Sequence, residues 1–141
     1  MHSQSSDFMY ICIRKFLDGM KHLFTLTLLG WLFCGCNGSE GFISQNNKEF
    51  AGIISDSEVQ LVDVRTPEEF AAGHIPGAVN MDVKGADFDD KVATLEAERP
   101  VAVYCRSGAR SKIAAKRLVT KGFTVYELNN GFMNWDGPEE K

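Results

Sequence analysis

The chain has 141 residues, a formal net charge of −4 and 24% charged side chains, which fits a single domain of ordinary globular composition. With 44% hydrophobic and 11% aromatic residues, it lacks the bias of a disordered chain, a coiled coil or collagen. The negative charge argues against a nucleic-acid partner, because such binding relies on a positive surface. Four cysteines are too few for a fold held together by disulfides.

The beginning of the chain has the pattern of an export signal and not of a folded domain. Residues 23–35 are almost wholly apolar and follow a lysine and a histidine. A stretch of about 13 residues is shorter than the roughly 20 that span a membrane, so it fits the apolar region of a secretory signal. We expect Met20 to be the start of this signal and residues 1–19 to be an upstream extension, with a longer basic region that includes residues 8–16 as the alternative. We therefore expect residues 1–35 to lie outside the fold.

Gly35 and Cys36, at the end of this segment, resemble the bacterial lipobox, in which a small residue precedes a cysteine that becomes lipidated. We predict cleavage before Cys36 and lipidation of that cysteine, with ordinary signal cleavage or a retained anchor as alternatives. Several acyl chains anchor a protein stably on a bilayer. The sequence thus predicts a periplasmic or extracytoplasmic protein of the bacterial cell envelope, which meets the membrane through its lipid only. Residues 36–44 would form a tether and residues 45–141 the domain.

The rest of the chain alternates β-rich runs with helical patterns. The run VQLVDV at 59–64 predicts a buried strand. Thr66, Pro67 and Glu69 predict a helix start, with a side-chain cap, a proline at the first helical position and a capping partner three residues after the cap. The other predicted elements are a strand at 78–81, a helix at 87–98, a strand at 100–104, a helix at 111–121, a strand at 123–128 and a brief final helix after Gly131. This order predicts an α/β fold whose central, mainly parallel sheet carries helices on both faces.

Cys105 lies in the segment YCRSGARS at 104–111, which joins a predicted strand to a predicted helix. Ligands bind at the carboxyl ends of parallel strands, and a helix start presents unpaired N–H groups and partial positive charge. We therefore expect a thiol there to have a lowered pKa and to be partly ionised at neutral pH. Gly108 lets the backbone curl so that its amides point inward. After signal removal and lipidation of Cys36, Cys105 is the one remaining thiol; an inert buried cysteine is the alternative.

A local excess of positive charge surrounds this thiol. Between Arg99 and Val125 there are seven Lys or Arg residues and no Asp or Glu, whereas the chain from residue 36 onward has 12 basic and 17 acidic residues. Most of these cations fit a solvated helix face. Arg106 and Arg110 lie inside the loop, so we expect their guanidinium groups to contact an anionic substrate.

Four segments in order resemble a single-domain rhodanese, a sulfurtransferase family: LVDVRTPEEF at 61–70, GHIPGAVN at 73–80, YCRSGARS at 104–111, and NGF at 130–132 followed by Trp135. The resemblance implies a rhodanese-like fold in which Cys105 is the nucleophile that accepts a sulfane sulfur. Asp63 and Arg65 match a pair that supports the fold around the site. The implied substrate-binding loop comprises Arg106, Ser107, Gly108, Ala109 and Arg110. Asn130 replaces the family's usual glycine, a mild departure because asparagine tolerates left-handed backbone.

The resemblance implies transfer of sulfane sulfur from thiosulfate or a similar small anionic donor to cyanide or a thiol, through a persulfide on Cys105. No metal or organic cofactor is expected, since the chain after signal removal and lipidation of Cys36 would keep one free cysteine and one histidine, His74, which are too few for a conventional zinc site. A Cys-dependent phosphatase or arsenate reductase is one alternative, but such enzymes have five residues between the cysteine and the arginine where this loop has four. A non-catalytic binding module with the rhodanese fold is the other alternative.

Overall fold

The computed structural model describes residues 41–141, so the predicted signal, the start at Met20 and the lipid on Cys36 lie outside the described residues. The strands are β1 (Ile43–Gln45), β2 (Gln60–Asp63), β3 (Val79–Asn80), β4 (Val101–Tyr104) and β5 (Val125–Leu128). The helices are α1 (Asn47–Ile54), α2 (Pro67–Ala72), α3 (Phe88–Val92) and α4 (Ala109–Thr120), followed by a 3-10 turn at Phe132–Asn134. All strand pairs are parallel, in the order β1-β5-β4-β2-β3.

Helices cover both faces of this sheet, which confirms the predicted α/β fold. On one face, Phe88 of α3 and Leu118 of α4 pack against valines of β2, β4 and β5. On the other, Phe50 of α1 packs with Tyr104 and Trp135. Both faces of β4 are buried, and this explains why its sequence is apolar throughout. None of the helices within residues 41–141 is both long and apolar enough to cross a membrane.

Helix α2 begins as its sequence predicts. The Thr66 hydroxyl accepts a hydrogen bond from the Glu69 backbone N–H at 3.3 Å, and the Glu69 carboxylate accepts one from the Thr66 N–H at 3.1 Å. Pro67 occupies the first helical position, where its missing N–H costs nothing. The backbone N–H groups of Thr66 and Glu69, which have no partner within the helix, therefore both have a hydrogen-bond acceptor at the start of α2.

Two predicted helices have different bounds in the structure. The helix predicted at 87–98 ends at Val92, because the Gln60 side chain binds the N–H and C=O groups of Glu96 and the C=O of Arg99, which turns the chain. The final helix is only the 3-10 turn at Phe132–Asn134. The prediction was therefore wrong in the length of the first, and the brief final helix is confirmed as a short 3-10 turn.

Helix α4 starts at Ala109, two residues before its predicted start. Gly108 has φ of +93°, so the chain passes from the loop directly into the helix. At the other end, Gly122 follows the last turn with φ of +96°, the left-handed conformation that often ends a helix.

The edge strand β1 and helix α1 were not predicted. Strand β1 begins at Ile43, two residues before the expected start of the domain, and Ile43 and Ser44 pair with Tyr126 and Glu127. These two residues of β1 are both exposed, so the strand lacks the alternation of buried apolar and exposed polar residues that would indicate it in the sequence. Helix α1 did have a signal, since Asn46 and Glu49 form a capping box like that of α2.

Candidate active site

Cys105 directly follows β4, which lies between β5 and β2 in the middle of the sheet. The side chain is 1% exposed and lies between the strand and the start of α4. Asp63 ends the neighbouring strand β2 and pairs in register with Tyr104. The topology thus brings Asp63 and the segment from 104 to 111 to the carboxyl ends of two adjacent strands, as expected for a ligand site in a parallel sheet.

The thiol has two hydrogen-bond partners at the start of α4. The Gly108 N–H donates to Sγ at 3.2 Å, and the thiol donates to the Ser111 hydroxyl oxygen at 3.4 Å. Burial is the largest single influence and raises the pKa of the Cys105 thiol. Hydrogen bonds from the Ser111 hydroxyl and from the backbone N–H groups of Ser111, Ser107 and Gly108 together outweigh burial, so this pKa is lowered. The arrangement favours a thiolate, the nucleophilic form of cysteine.

A neighbouring segment holds the loop in this shape. The backbone N–H of Phe132 donates to the Cys105 carbonyl at 2.8 Å, and that of Met133 donates to the Arg106 carbonyl at 3.0 Å. Gly131, with φ of +66°, allows this approach, because a Cβ there would lie 2.5 Å from the Arg106 carbonyl group. The segment from Gly131 to Met133 therefore fixes the backbone of the loop.

We expect Gly131→Ala to displace the loop and slow the alkylation of Cys105, in addition to a backbone strain of about 1–3 kcal/mol. Rates of alkylation with iodoacetamide, beside urea unfolding, would measure both effects. Gly122→Ala is the matched control, since Gly122 also has positive φ but nothing lies within 4 Å of its added Cβ. Equal alkylation rates in the two variants would contradict this role of Gly131.

Arg110 is occupied by a carboxylate in the structure. Its guanidinium group donates two hydrogen bonds, of 2.7 and 2.8 Å, to the two oxygens of Glu69 in α2. The Arg110 hydrogen bond lowers the pKa of Glu69 to about 2, so the pair stays ionised near neutral pH. Arg110 thus forms an ion pair that joins α2 to α4, and its contact with a substrate anion stays a prediction.

The sequence predicted Glu69 only as a capping residue, and this second contact was not predicted. The contact arises because the start of α2 follows β2 and the loop follows β4, and these strands are neighbours in the sheet. The Arg106 side chain, by contrast, is exposed and has no hydrogen bond or ion pair within the described residues. Ser107 and Ala109 are also exposed. Arg106 is therefore the loop cation that remains available to an anionic ligand.

Asp63 and Arg65 form a buried ion pair behind the loop. Their side chains are 0% and 5% exposed, and the Arg65 guanidinium lies 2.6 Å from the Asp63 carboxylate. Arg65 also donates to the Gly73 carbonyl at 2.7 Å and lies 4.1 Å from the centre of the Phe132 ring. The pair thus connects β2, the end of α2 and the segment that holds the loop.

Two further polar side chains behind the loop were not predicted. Ser111 is fully buried in the first turn of α4, and its hydroxyl contacts both Sγ and the carboxylate of Glu127. Glu127 is itself fully buried in β5. An acidic residue within the otherwise apolar run VYEL was the signal that could have indicated it. Within residues 41–141 no three His, Cys, Asp or Glu side chains are grouped as metal ligands.

Curated proteins similar to this chain include sulfurtransferases. The putative sulfurtransferase YtwF of Bacillus subtilis is 39% identical over 85 residues, which are 60% of this chain and 81% of YtwF. The thiosulfate sulfurtransferase GlpE of Pseudomonas aeruginosa is 37% identical over 89 residues, 62% of this chain and 78% of GlpE. The HTH-type transcriptional regulator Rv0324 of Mycobacterium tuberculosis is 43% identical over 81 residues, but this match spans only 34% of the regulator.

Solved structures and a family profile agree with these relatives. A rhodanese-related protein from Thermoplasma volcanium superposes with a TM-score of 0.63 at 25% identity, over 70% of this chain and 98% of that one. A rhodanese-like domain protein from Staphylococcus aureus gives 0.62 at 27% identity, over 70% and 97% of the two chains. Residues 46–137, more than half of the chain, match the family described as Rhodanese-like domain. The chain therefore belongs to the rhodanese-like domain family.

Proposed function

We propose that this protein is a sulfurtransferase that takes sulfane sulfur from thiosulfate or a similar anionic donor and delivers it to cyanide or a thiol. The observation that carries the proposal is the Cys105 sulfur, which accepts hydrogen bonds from the loop and has a lowered pKa. The putative sulfurtransferase YtwF and the thiosulfate sulfurtransferase GlpE, which this chain matches over most of their length, support the same chemistry.

In the first half-reaction, the Cys105 thiolate attacks the outer sulfur of thiosulfate. A new S–S bond forms, the S–S bond of thiosulfate breaks, and sulfite leaves with the electron pair of that bond. The outer sulfur of the resulting persulfide is an anion, and the backbone N–H groups of the loop, fixed before the reaction, stabilise it. Arg106 draws the doubly charged donor to the loop.

In the second half-reaction, cyanide or a thiolate attacks the outer sulfur of the persulfide. The S–S bond to Cys105 breaks, and the cysteine leaves as a thiolate, which is the form that began the cycle. Donor and acceptor use the same loop in turn, so ping-pong kinetics are expected.

The ion pair of Arg110 with Glu69 argues against the phosphatase alternative. Phosphoryl transfer requires cationic groups directed at the transferring phosphoryl group, and Arg110 donates from both of its terminal nitrogens to Glu69 instead. A single sulfur atom needs no such clamp, because the loop amides suffice for its charge.

Intact mass spectrometry of the full-length chain, before and after incubation with thiosulfate, tests the proposal. We expect a gain of one sulfur atom that cyanide removes, with release of thiocyanate. A folded chain that gains no sulfur from thiosulfate or from a small persulfide donor would contradict the proposal.

Arg106→Gln is expected to raise KM for thiosulfate about three- to tenfold and to leave kcat nearly unchanged, because an exposed cation contributes mainly to binding. Steady-state kinetics with cyanide as acceptor would measure both constants. Lys48→Gln, which removes the same charge from exposed α1, serves as the control. Equal KM values for the two variants would show that Arg106 has no part in donor binding.

A further inference from the structure

A partly buried ion pair lies beside the thiol, at the start of α4. Both terminal nitrogens of Arg110 donate to the carboxylate of Glu69, at 2.7 and 2.8 Å, and the two side chains are 19% and 28% exposed. The hydrogen bonds to Glu69 raise the pKa of the Arg110 guanidinium, and the charge of Cys105 raises it further. The guanidinium therefore lies within electrostatic reach of the thiolate, but a carboxylate from α2 neutralises its charge.

Helix α2 holds this carboxylate in place. Oε2 of Glu69 accepts a hydrogen bond from the Thr66 backbone N–H at 3.1 Å as well as one from Arg110, and the Thr66 hydroxyl accepts one from the Glu69 N–H. An anion that bound Arg110 would have to displace a carboxylate that is already fixed, and it would leave that carboxylate unpaired beside it. Both effects weaken the binding of anions, and most strongly of those with two charges.

We propose that Glu69 is a specificity-determining residue that withholds Arg110 from tetrahedral oxyanions and thereby favours the hydropersulfide of a thiol over thiosulfate as the sulfur donor. This inference deepens the proposed function and rests on it. Within residues 41–141, Arg106 is the loop cation whose side chain has no partner, so a dianion finds one positive charge there. A hydropersulfide needs no more, because it carries one charge at most and presents a single outer sulfur to Cys105.

Sulfur transfer from such a donor involves no oxyanion. The Cys105 thiolate attacks the outer sulfur of R–S–SH and a new S–S bond forms. The S–S bond of the donor breaks, and the thiolate R–S⁻ leaves with the electron pair of that bond. The proton stays on the transferred sulfur, so one negative charge is present before and after. Thiosulfate instead releases sulfite, which carries two charges and gains nothing from an occupied Arg110.

Protection of Cys105 from iodoacetamide by inorganic phosphate tests the proposal, with peptide mass spectrometry to follow this cysteine separately from the others. Phosphate is a tetrahedral anion that cannot donate sulfur. In Glu69→Gln the amide oxygen can still accept from the Thr66 N–H, but the side chain no longer neutralises Arg110. Half-protection should therefore require about tenfold less phosphate than in the natural chain. Glu68→Gln is the matched control, since it removes the same charge from an exposed position in the same turn and should leave this concentration unchanged.

The double variant Glu69→Gln/Arg110→Gln shows whether Arg110 causes the gain. It removes both members of the pair and keeps the net charge, so it should need the same phosphate concentration as the natural chain, within about twofold. If Arg110 contacts anions in the natural chain, the double variant should bind phosphate more weakly, and this result would overturn the proposal. Equal concentrations for the natural chain and folded Glu69→Gln would overturn it as well. The double variant leaves no charge unpaired, so its comparison with the natural chain still tests the proposal if Glu69→Gln does not fold.

The donor preference is measured by the rate at which Cys105 gains sulfur from thiosulfate and from the hydropersulfide of cysteine, again by peptide mass spectrometry. We expect Glu69→Gln to raise kcat/KM for thiosulfate about tenfold and to change the value for the hydropersulfide less than about twofold. An equal change with both donors would overturn the role of Glu69 in donor choice.

The phosphate measurement needs no sulfur donor, so it separates this inference from the proposed function. A gain in phosphate affinity in Glu69→Gln, in a protein that accepts sulfur from neither donor, supports the exclusion of oxyanions by Glu69 and contradicts the proposed function. Unchanged phosphate affinity in a protein that does accept sulfur contradicts this inference alone.

Discussion

Cys105→Ser is expected to abolish sulfur uptake from thiosulfate. A serine hydroxyl holds its proton far more tightly than a thiol does at neutral pH, and it cannot form a persulfide. The loop amides and Arg106 remain in this variant, so the donor still has a place to bind, but no group can accept its sulfur. Intact mass spectrometry should therefore show no gain of sulfur and no thiocyanate after cyanide is added.

The matched control for this experiment replaces the other three cysteines, Cys12, Cys34 and Cys36, by serine and retains Cys105. This variant should take up one sulfur atom as the natural chain does. Sulfur uptake by Cys105→Ser, or its loss in the triple variant, would place the nucleophile elsewhere in the chain.

Asp63→Asn is expected to give the largest loss of stability, about 3–5 kcal/mol, because it leaves the Arg65 guanidinium buried without its counter-ion. The change keeps the shape of the side chain, so it isolates the charge from the packing. Domains of this size have total stabilities of about 5–15 kcal/mol, so the midpoint of urea unfolding should fall markedly.

Asp87→Asn provides the comparison for this measurement. Asp87 pairs with Lys91 at 3.0 Å, but both side chains are largely exposed to solvent. Water and salt already screen this pair, so its loss should hardly move the unfolding midpoint. If the two variants unfold at the same urea concentration, the buried pair does not have the supporting role proposed for it.

Local patterns predicted the parts of the fold that local forces decide. The capping residues of α2 and the apolar run of β4 were sufficient, because a helix cap and a buried strand depend on neighbours in the sequence. The position of Cys105 followed from the order of its strand and helix. Contacts between distant residues decided what was missed: Gln60 ends α3, and Glu69 takes the guanidinium of Arg110.

The site was predicted less completely than the fold for the same reason. The loop residues are contiguous, so their resemblance to a family was visible in the sequence. Glu127 lies on another strand and reaches Cys105 only through Ser111, and no spacing in the sequence shows that such residues meet. Its acidic character within a buried strand was the one indication.

The hydrogen bonds that Phe132 and Met133 donate to the loop also determine the polarity of the loop around the sulfur. A trans peptide unit directs its C=O and N–H groups in opposite directions. Because Phe132 and Met133 bind the carbonyls of Cys105 and Arg106, the N–H groups of the same two peptide planes point away from Phe132 and Met133. One of these groups, the Ser107 N–H, is among the donors that favour the Cys105 thiolate. The ionisation of the nucleophile is thus governed in part by backbone atoms of a later segment that does not itself touch the sulfur.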